Sequence, residues 1–270
     1  MNTPLIVQTI DEVRTACAIL QGSLGLVPTM GALHEGHLTL VREARKRCRH
    51  VAVSIFVNPL QFGKNEDLSS YPRPLERDIA LLKEEGVSLI FTPDAHSLYP
   101  EGFSTMVQVN GLDTMLCGTA RPGHFSGVTT VVTMLLLFLR PTYAFFGEKD
   151  YQQLCIIRRL NKDLMLVDDI IGVPTVREKD GLALSSRNQY LSAEERAKAP
   201  MLHATLQKIR SEEIAIDTAH KQLEEAGFAL DYLEMRDVDT LQETDNPVHA
   251  RLFIAARLGQ TRLIDNIAAS

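Results

Sequence analysis

The feature that most limits what this chain can fold into is a rhythm in its first two thirds. Short apolar runs recur there, and most are followed by a segment with helical spacing. Residues 24–28 (LGLVP), 51–57 (VAVSIFV), 87–91, 143–146 and 166–173 read as strands, with a weaker one at 105–109. Helical patterns cover about 36–49, 74–85, 125–139 and 150–161; Leu38, Val41, Ala44 and Cys48 mark the buried face of the first. Several strands are apolar at every position, so both of their faces must be covered. Strands alternating with helices in this way predict an α/β domain, a parallel sheet with helices on both faces.

The texture changes after Pro174. Ser192 and Glu195 form a capping box that predicts a helix running to about Arg210. A second polar helix is expected over 215–226, then strands at 229–235, 250–257 and 261–264. This reads as a smaller α+β domain, with domains at 1–175 and 176–270.

Composition closes off several function classes. The 28 basic and 34 acidic residues leave a formal charge of −6, which repels a phosphate backbone and argues against broad nucleic-acid binding. The longest apolar run, 128–139, is broken by threonines and falls short of the ~20 residues that span a bilayer, so no membrane role is expected. The N-terminal residues lack a basic stretch and meet acid at Asp11 and Glu12, unlike a secretory signal. Cys17, Cys48, Cys117 and Cys155 are widely spaced with no CxxC, which fits isolated thiols in the cytoplasm.

Four segments carry chemistry. In parallel sheets ligands bind beyond the carboxyl ends of strands, and a helix N-terminus there attracts anions. PTMGALHEGH (residues 28–37) has this form, with His34 and His37 three apart on one helical face, able to donate to phosphate oxygens. Two surface histidines are the bland alternative. A zinc site is another, although HEGH has three-residue spacing where HExxH has four. IFVNPLQFG (55–63) supplies Asn58 and Gln61, amides suited to a small polar substrate or simply to a loop. FFGEKDYQQ (145–153) places Lys149 where an anion would sit, Asp150 as an N-cap, and Gln153 one turn on. GLALSSRNQYL (181–191) offers Ser185, Ser186 and the Arg187 fork, a phosphate set or a polar linker. GxGxxG, GxxxxGK[ST] and GxSxG are all absent, so a nucleotide site must rely on histidines and serines.

Taken in order, PTMGALHEGH, VNPLQFG, RPGHFSGV, FFGEKDYQQ, VPTVRE, LSSRN and RLGQTRLIDN resemble the pantoate–β-alanine ligase family over nearly the whole chain. HxGH alone is shared with other nucleotidyl transferases and class I aminoacyl-tRNA synthetases, whereas GEKDYQQ and QFG are far more specific to these ligases. The resemblance implies a Rossmann-like N-terminal domain, a small C-terminal domain closing over ATP, and a homodimer. It implies Mg²⁺ and two half-reactions. The carboxylate of (R)-pantoate attacks the α-phosphorus of ATP, releasing pyrophosphate; the amine of β-alanine then attacks the acyl carbon, releasing AMP.

By the same resemblance Met30, Gly31, Ala32, Leu33, His34, Glu35, Gly36 and His37 line ATP, with Gly147, Glu148, Lys149 and Asp150. Val176, Leu184, Ser185, Ser186 and Arg187 complete that site, and Gln61 and Gln153 hold pantoate, Gln61 also β-alanine. His34, His37, Lys149, Ser185, Ser186 and Arg187 are the expected catalytic donors, His37 also as a proton donor; the metal ligands are not assigned. Leu184 stands where many members carry methionine, and Cys117 where some carry glutamate. Asp168 and Asp169 interrupt an expected buried strand, which predicts a strand starting after them or an exposed edge; Glu76 and Asp78 lie on a helix near the site without a role. The competing readings are another HxGH nucleotidyl transferase, a metal-dependent hydrolase built on His34 and His37, and a non-catalytic nucleotide-binding module.

Overall fold

The computed structural model describes residues 3–63 and 66–270. Six parallel strands, β1 (Leu5–Val7), β2 (Leu24–Thr29), β3 (His50–Ile55), β4 (Leu89–Phe91), β5 (Tyr143–Gly147) and β6 (Asp169–Val173), form one sheet in the order β1-β4-β3-β2-β5-β6. The helices are α1 (Ile10–Ile19), α2 (Glu35–Arg47), α3 (Leu75–Glu84), the single turns α4 (Ala95–Leu98) and α5 (Cys117–Ala120), α6 (His124–Leu139) and α7 (Tyr151–Leu164).

Period-two alternation decides which helix covers which face. Leu24, Leu26, Ala52, Leu89, Phe91, Ala144 and Phe146 join the core beneath α1, α6 and α7. Their neighbours Val27, Val51, Val53, Ile90 and Phe145 pack with Leu40, Val41, Ala44 and Leu82 of α2 and α3. The expected α/β layering is thus present. The chain moves outward from β2 through β3 to β4, then returns to β5 on β2's other side. A crevice opens beyond the carboxyl ends of β2 and β5, where the direction of winding switches.

Helix α6 is buried almost all round, and its threonines explain how an apolar helix tolerates them. Thr129, Thr130 and Thr133 donate to the carbonyls of Phe125, Ser126 and Thr129 one turn back, at 2.8, 2.7 and 2.7 Å. They also account for a departure from expectation. Residues 105–109 form no strand. The Val107 N–H donates to Thr130 Oγ1 at 2.9 Å, and its carbonyl accepts from Thr129 Oγ1 at 2.6 Å, so side chains satisfy the backbone in place of a neighbouring strand.

Three other boundaries differ. Strand β1 and helix α1, which opens with a Thr9–Glu12 capping box, were not anticipated. The expected 192–210 helix is two, α8 (Ala193–Lys198) and α9 (Met201–Arg210), divided at Pro200, which lacks the N–H to continue the ladder. Strand β6 begins at Asp169, with Asp168 and Asp169 exposed on the edge of the sheet. Beyond α9, α10 (Ile216–Glu225) packs on an antiparallel sheet of β7 (Phe228–Asp237), β8 (Ala250–Leu258) and β9 (Thr261–Ala268), ordered β7-β8-β9. Among the described residues no helix is long and apolar enough to cross a membrane.

One close approach fixes the wall beside the crevice. A Cβ built on Gly127 of α6 would overlap the Leu60 carbonyl oxygen and lie 2.6 Å from the Gln61 backbone nitrogen, in the 3₁₀ turn Pro59–Gln61 that follows β3. We expect Gly127→Ala to cost about 1–3 kcal/mol in urea unfolding, the range for overpacking. It should also displace the Gln61 turn, raising the KM of whatever small substrate that amide holds. Unchanged stability and KM would mean that the turn is not seated on α6 as described.

Candidate functional site

The site begins where β2 hands over to α2. Residues 30–33 turn the chain, and His34 caps the helix with an imidazole where Ser or Asp is usual. Its Nδ1 accepts the Gly36 N–H at 3.1 Å, while Nδ1 of His37 accepts the His34 N–H at 3.3 Å. The rings lie against each other, centroids 4.1 Å apart and planes tilted by 37°. A Cβ at residue 36 would meet the His34 ring at 2.9 Å, so this cap requires glycine there.

A nitrogen that accepts a backbone N–H carries no proton of its own. Both neutral rings therefore keep their hydrogen on Nε2, the free edge. Burial lowers the pKa of His34 to about 4, with help from the Lys149 charge. Burial, then His34 and Lys149, lowers His37 to about 3. The positive end of α2 acts in the same direction. At neutral pH both side chains are uncharged N–H donors.

Asp78 on α3 holds this turn from behind. Its carboxylate accepts from Ala32 N at 2.8 Å and Leu33 N at 2.9 Å and is almost completely buried. Burial pushes its carboxyl up while the two N–H donors pull it down. A carboxylate left without those donors would be costly, so the turn and Asp78 fix each other.

Across the crevice, β5 ends at Gly147 and a 3₁₀ turn Glu148–Asp150 leads into α7. Lys149 Nζ stands 3.9 Å from the exposed Asp150 carboxylate. Gln153 faces the crevice, whereas its neighbour Gln152 is buried, bonded to the Leu112 and Met115 carbonyls and the Cys117 N–H. On the third side, Gln61 accepts from Asn58 Nδ2 at 3.1 Å and donates to Met30 Sδ at 2.9 Å. Asn58 is itself fixed by Tyr99, whose hydroxyl donates to its Oδ1 at 2.7 Å.

Residues 176–187 form the roof. The Leu184 N–H returns to the Val176 carbonyl, Ser185 Oγ takes the Arg187 N–H, and Ser186 Oγ lies 3.2 Å from the Tyr71 hydroxyl. Arg187 is not free: Asp67 accepts from its Nε at 3.0 Å and Nη2 at 2.8 Å.

Together these groups enclose a cavity of about 230 Å³. Met30, His34, Gly36, His37, Gln61, Gly147, Lys149, Asp150, Gln153, Val176, Leu184, Ser185, Ser186 and Arg187 all line it. Gly31, Ala32, Leu33, Glu35 and Glu148 do not. The first three are buried within the turn itself, Glu35 pairs with Arg42 outside, and Glu148 turns toward Arg251. Lys149, Asp150, Gln153, Ser185 and Arg187 also border a second space of about 360 Å³ that continues toward β9.

Two groups at the cavity escaped the sequence reading. His124 Nδ1 lies 2.8 Å from the Gln61 carbonyl, which can only accept, so the ring hydrogen sits on Nδ1. Its Nε2 then accepts from Arg121 Nη1 at 2.9 Å, and Arg121 also forks onto Glu66. Burial, then the Arg121 charge, lowers His124 to about 4. Burial alone would raise the Glu66 carboxyl, but Arg121 outweighs it and holds it below its usual range. RPGH was visible as a motif, but not what it would touch.

The HEGH zinc reading finds no support in this geometry, since both Nδ1 atoms are committed to backbone. Among the described residues no group of three or more His, Cys, Asp or Glu could hold a metal.

Comparisons with known proteins agree with this architecture. The family profile described as Pantoate-beta-alanine ligase matches residues 5–268. Pantothenate synthetase of Novosphingobium aromaticivorans is 51% identical over 280 residues, covering 97% of each chain. That of Acidiphilium cryptum is 50% identical, covering 97% of this chain and 99% of its own. The crystal structure of pantothenate synthetase from Thermus thermophilus superposes with a TM-score of 0.92 at 49% identity, covering 98% and 99%. Pantoate-beta-alanine ligase from Francisella tularensis, complexed with "Beta-gamma ATP" and β-alanine, superposes with a TM-score of 0.88 at 35% identity, covering 98% of each chain. With its sequence and its two sheets matched along almost their whole length, the chain belongs to the pantoate–beta-alanine ligase family.

Proposed function

We propose that the chain joins (R)-pantoate to β-alanine using ATP, through pantoyl adenylate. The observation that carries this reading is the convergence of two neutral imidazole Nε2–H groups and the Lys149 ammonium on one cavity that also presents the amides of Gln61 and Gln153. The first set suits phosphate oxygens, and the second suits the hydroxyl and carboxylate of a small acid.

A carboxylate is a poor acyl donor because oxide is a poor leaving group. Attack by a pantoate carboxylate oxygen on the α-phosphorus forms a P–O bond and breaks the bond to pyrophosphate. Negative charge then builds on the nonbridging and departing oxygens. Donors fixed before the reaction begins stabilise that charge without reorganising. His34, His37 and Lys149 are such donors, and bonds to backbone keep the two imidazole rings aimed. Being neutral, the histidines give hydrogen bonds rather than protons, so His37 is assigned to phosphate binding ahead of proton transfer. In the second half-reaction the β-alanine amine forms the C–N bond and AMP departs with the bonding pair. Arg187 and the Ser185 and Ser186 hydroxyls serve the nucleotide from above once Asp67 yields its fork.

The donor set fits a magnesium ion carried in by the nucleotide rather than one resident on the chain. Asp150 is the exposed carboxylate at the cavity, while Asp67 and Glu66 are committed to arginines. Asp150 would hold Mg²⁺ together with phosphate oxygens, and the ion would neutralise phosphate charge. We take residues 1–175 as the nucleotide- and pantoate-binding domain and 176–270 as the lid. A cytoplasmic homodimer completes the proposal. The cytoplasm is supported by four cysteines free of disulfides, and the dimer by the family resemblance.

Pantoate-dependent ATP–pyrophosphate exchange without β-alanine tests the reading. Exchange requiring pantoate and Mg²⁺ is expected; no exchange in folded, ATP-binding protein would reject it. Lys149→Ala should lower exchange by about 10²–10³, as for loss of a preorganised oxyanion donor, without unfolding the protein. Gln61→Ala should raise the KM for pantoate more than that for ATP, and an ATP-only defect would contradict its assignment. The histidines also make a stability prediction. Between about pH 3 and 6.5 the unfolded chain binds protons at His37 that the folded chain does not, so stability rises with pH across this window and is lost as pH falls. Urea titrations should show a shallower slope in His37→Gln over that range; an unchanged slope would mean that His37 titrates normally.

A further inference from the structure

The C-terminal RLIDN segment borders the second space, beyond the donors described above, and its last two residues are buried and polar. Asp265 and Asn266 lie on β9, only 4% and 2% exposed. The Asn266 side chain crosses from the small antiparallel sheet to the end of β5. Its Nδ2 donates to two successive carbonyl oxygens, those of Glu148 and Lys149, each at 2.9 Å. Its Oδ1 accepts from Arg251 Nε at 2.8 Å, so the amide has one orientation. Arg251 is in turn held 4.2 Å over the Tyr151 ring, with Nη2 3.7 Å from Glu148 Oε2. On the other side, Asp265 accepts from Arg177 at 2.6 and 2.8 Å and from the Asn266 N–H at 2.8 Å. Arg177 stands at the root of the 176–187 roof.

Both carbonyls that Asn266 engages belong to the turn that presents Lys149. We infer that Asn266 is a positioning residue for adenylation: from the far sheet it fixes the backbone from which the Lys149 ammonium reaches the phosphates, in register with the roof that Asp265 anchors through Arg177. The inference rests on the role proposed for Lys149. Only an amide does this work. Aspartate would set a carboxylate against two carbonyl oxygens, and alanine would leave both part-buried carbonyls without that donor. A lysine has a long flexible stem, so the turn's backbone decides where its ammonium can be. Displacements near 1 Å cost about 10²-fold when groups must meet in a transition state.

The test is a double-mutant cycle in pantoate-dependent ATP–pyrophosphate exchange, with folding checked by thermal melts. Asn266→Ala should lower kcat about 10–100-fold with the KM for pantoate nearly unchanged, and Asn266→Asp should be worse. In a Lys149→Ala background Asn266→Ala should add less than about twofold, because the group it serves is gone. Normal exchange by folded Asn266→Ala, or losses that multiply in the double variant, would overturn the inference while leaving Lys149's role intact. Near-normal exchange by Lys149→Ala would overturn that role and this inference together. Should Asn266→Ala fail to fold, Arg251→Gln, which frees the amide to turn, decides by the same cycle. A modest loss that vanishes beside Lys149→Ala supports the inference, and a normal rate or a multiplying loss overturns it.

Discussion

Everything at the cavity depends on how α2 begins. A helix start exposes N–H groups that need partners, and here two imidazoles and one carboxylate supply them. His34 takes the Gly36 N–H, His37 takes the His34 N–H, and Asp78 takes those of Ala32 and Leu33. Ordinary capping would use a serine and leave the ring nitrogens free. Committing both Nδ1 atoms to backbone instead forces each hydrogen to the far nitrogen. It also keeps the rings neutral in a buried, positively biased place. Local structure and chemistry are one constraint here: the bonds that start the helix also aim two donors into the crevice.

The sheet supplies the other half. Strands β2 and β5 are neighbours, but the chain winds away from them in opposite directions, so no crossover helix fills the space beyond their ends. Lys149 can therefore face His34 and His37 although more than a hundred residues separate them. The cations at the rim are held by carboxylates in the meantime, Arg187 by Asp67 and Arg121 by Glu66. Unpaired guanidinium groups so close together would repel, and the paired acids let the cavity form before an anionic ligand arrives. Under the proposed function, Asp67 is the group that a nucleotide phosphate would displace.

The strand–helix rhythm was legible because it is local: period-two and helical spacing survive in a short window, and strand ends locate the crevice. What failed was set by distant partners. Residues 105–109 look like a strand, but threonines of α6 complete their backbone. A capping box at Ser192 suggested one helix, whereas Pro200 divides it. The site shows the same split. His34, His37, Lys149, Gln61 and Gln153 stand at strand ends and were readable there. Asp78 is 45 and 46 residues from the N–H groups it holds, and Asn266 is 117 and 118 from its carbonyls. An aspartate inside a helix and an asparagine inside a strand carry no local mark of such roles. Gly31, Ala32 and Leu33 belong to a motif that meets the cavity through Met30, His34, Gly36 and His37, while the N–H groups of Ala32 and Leu33 turn to Asp78 instead.

The measurement closest to the centre of this account is ¹⁵N NMR of the histidine rings in the folded protein at neutral pH. Nitrogen shifts separate the charged ring from each neutral tautomer. Neutral His34 and His37 with hydrogen on Nε2, and neutral His124 with hydrogen on Nδ1, are expected. Imidazolium at His34 or His37, or hydrogen on their Nδ1, would contradict this expectation, because neither state can accept the backbone N–H groups that start α2.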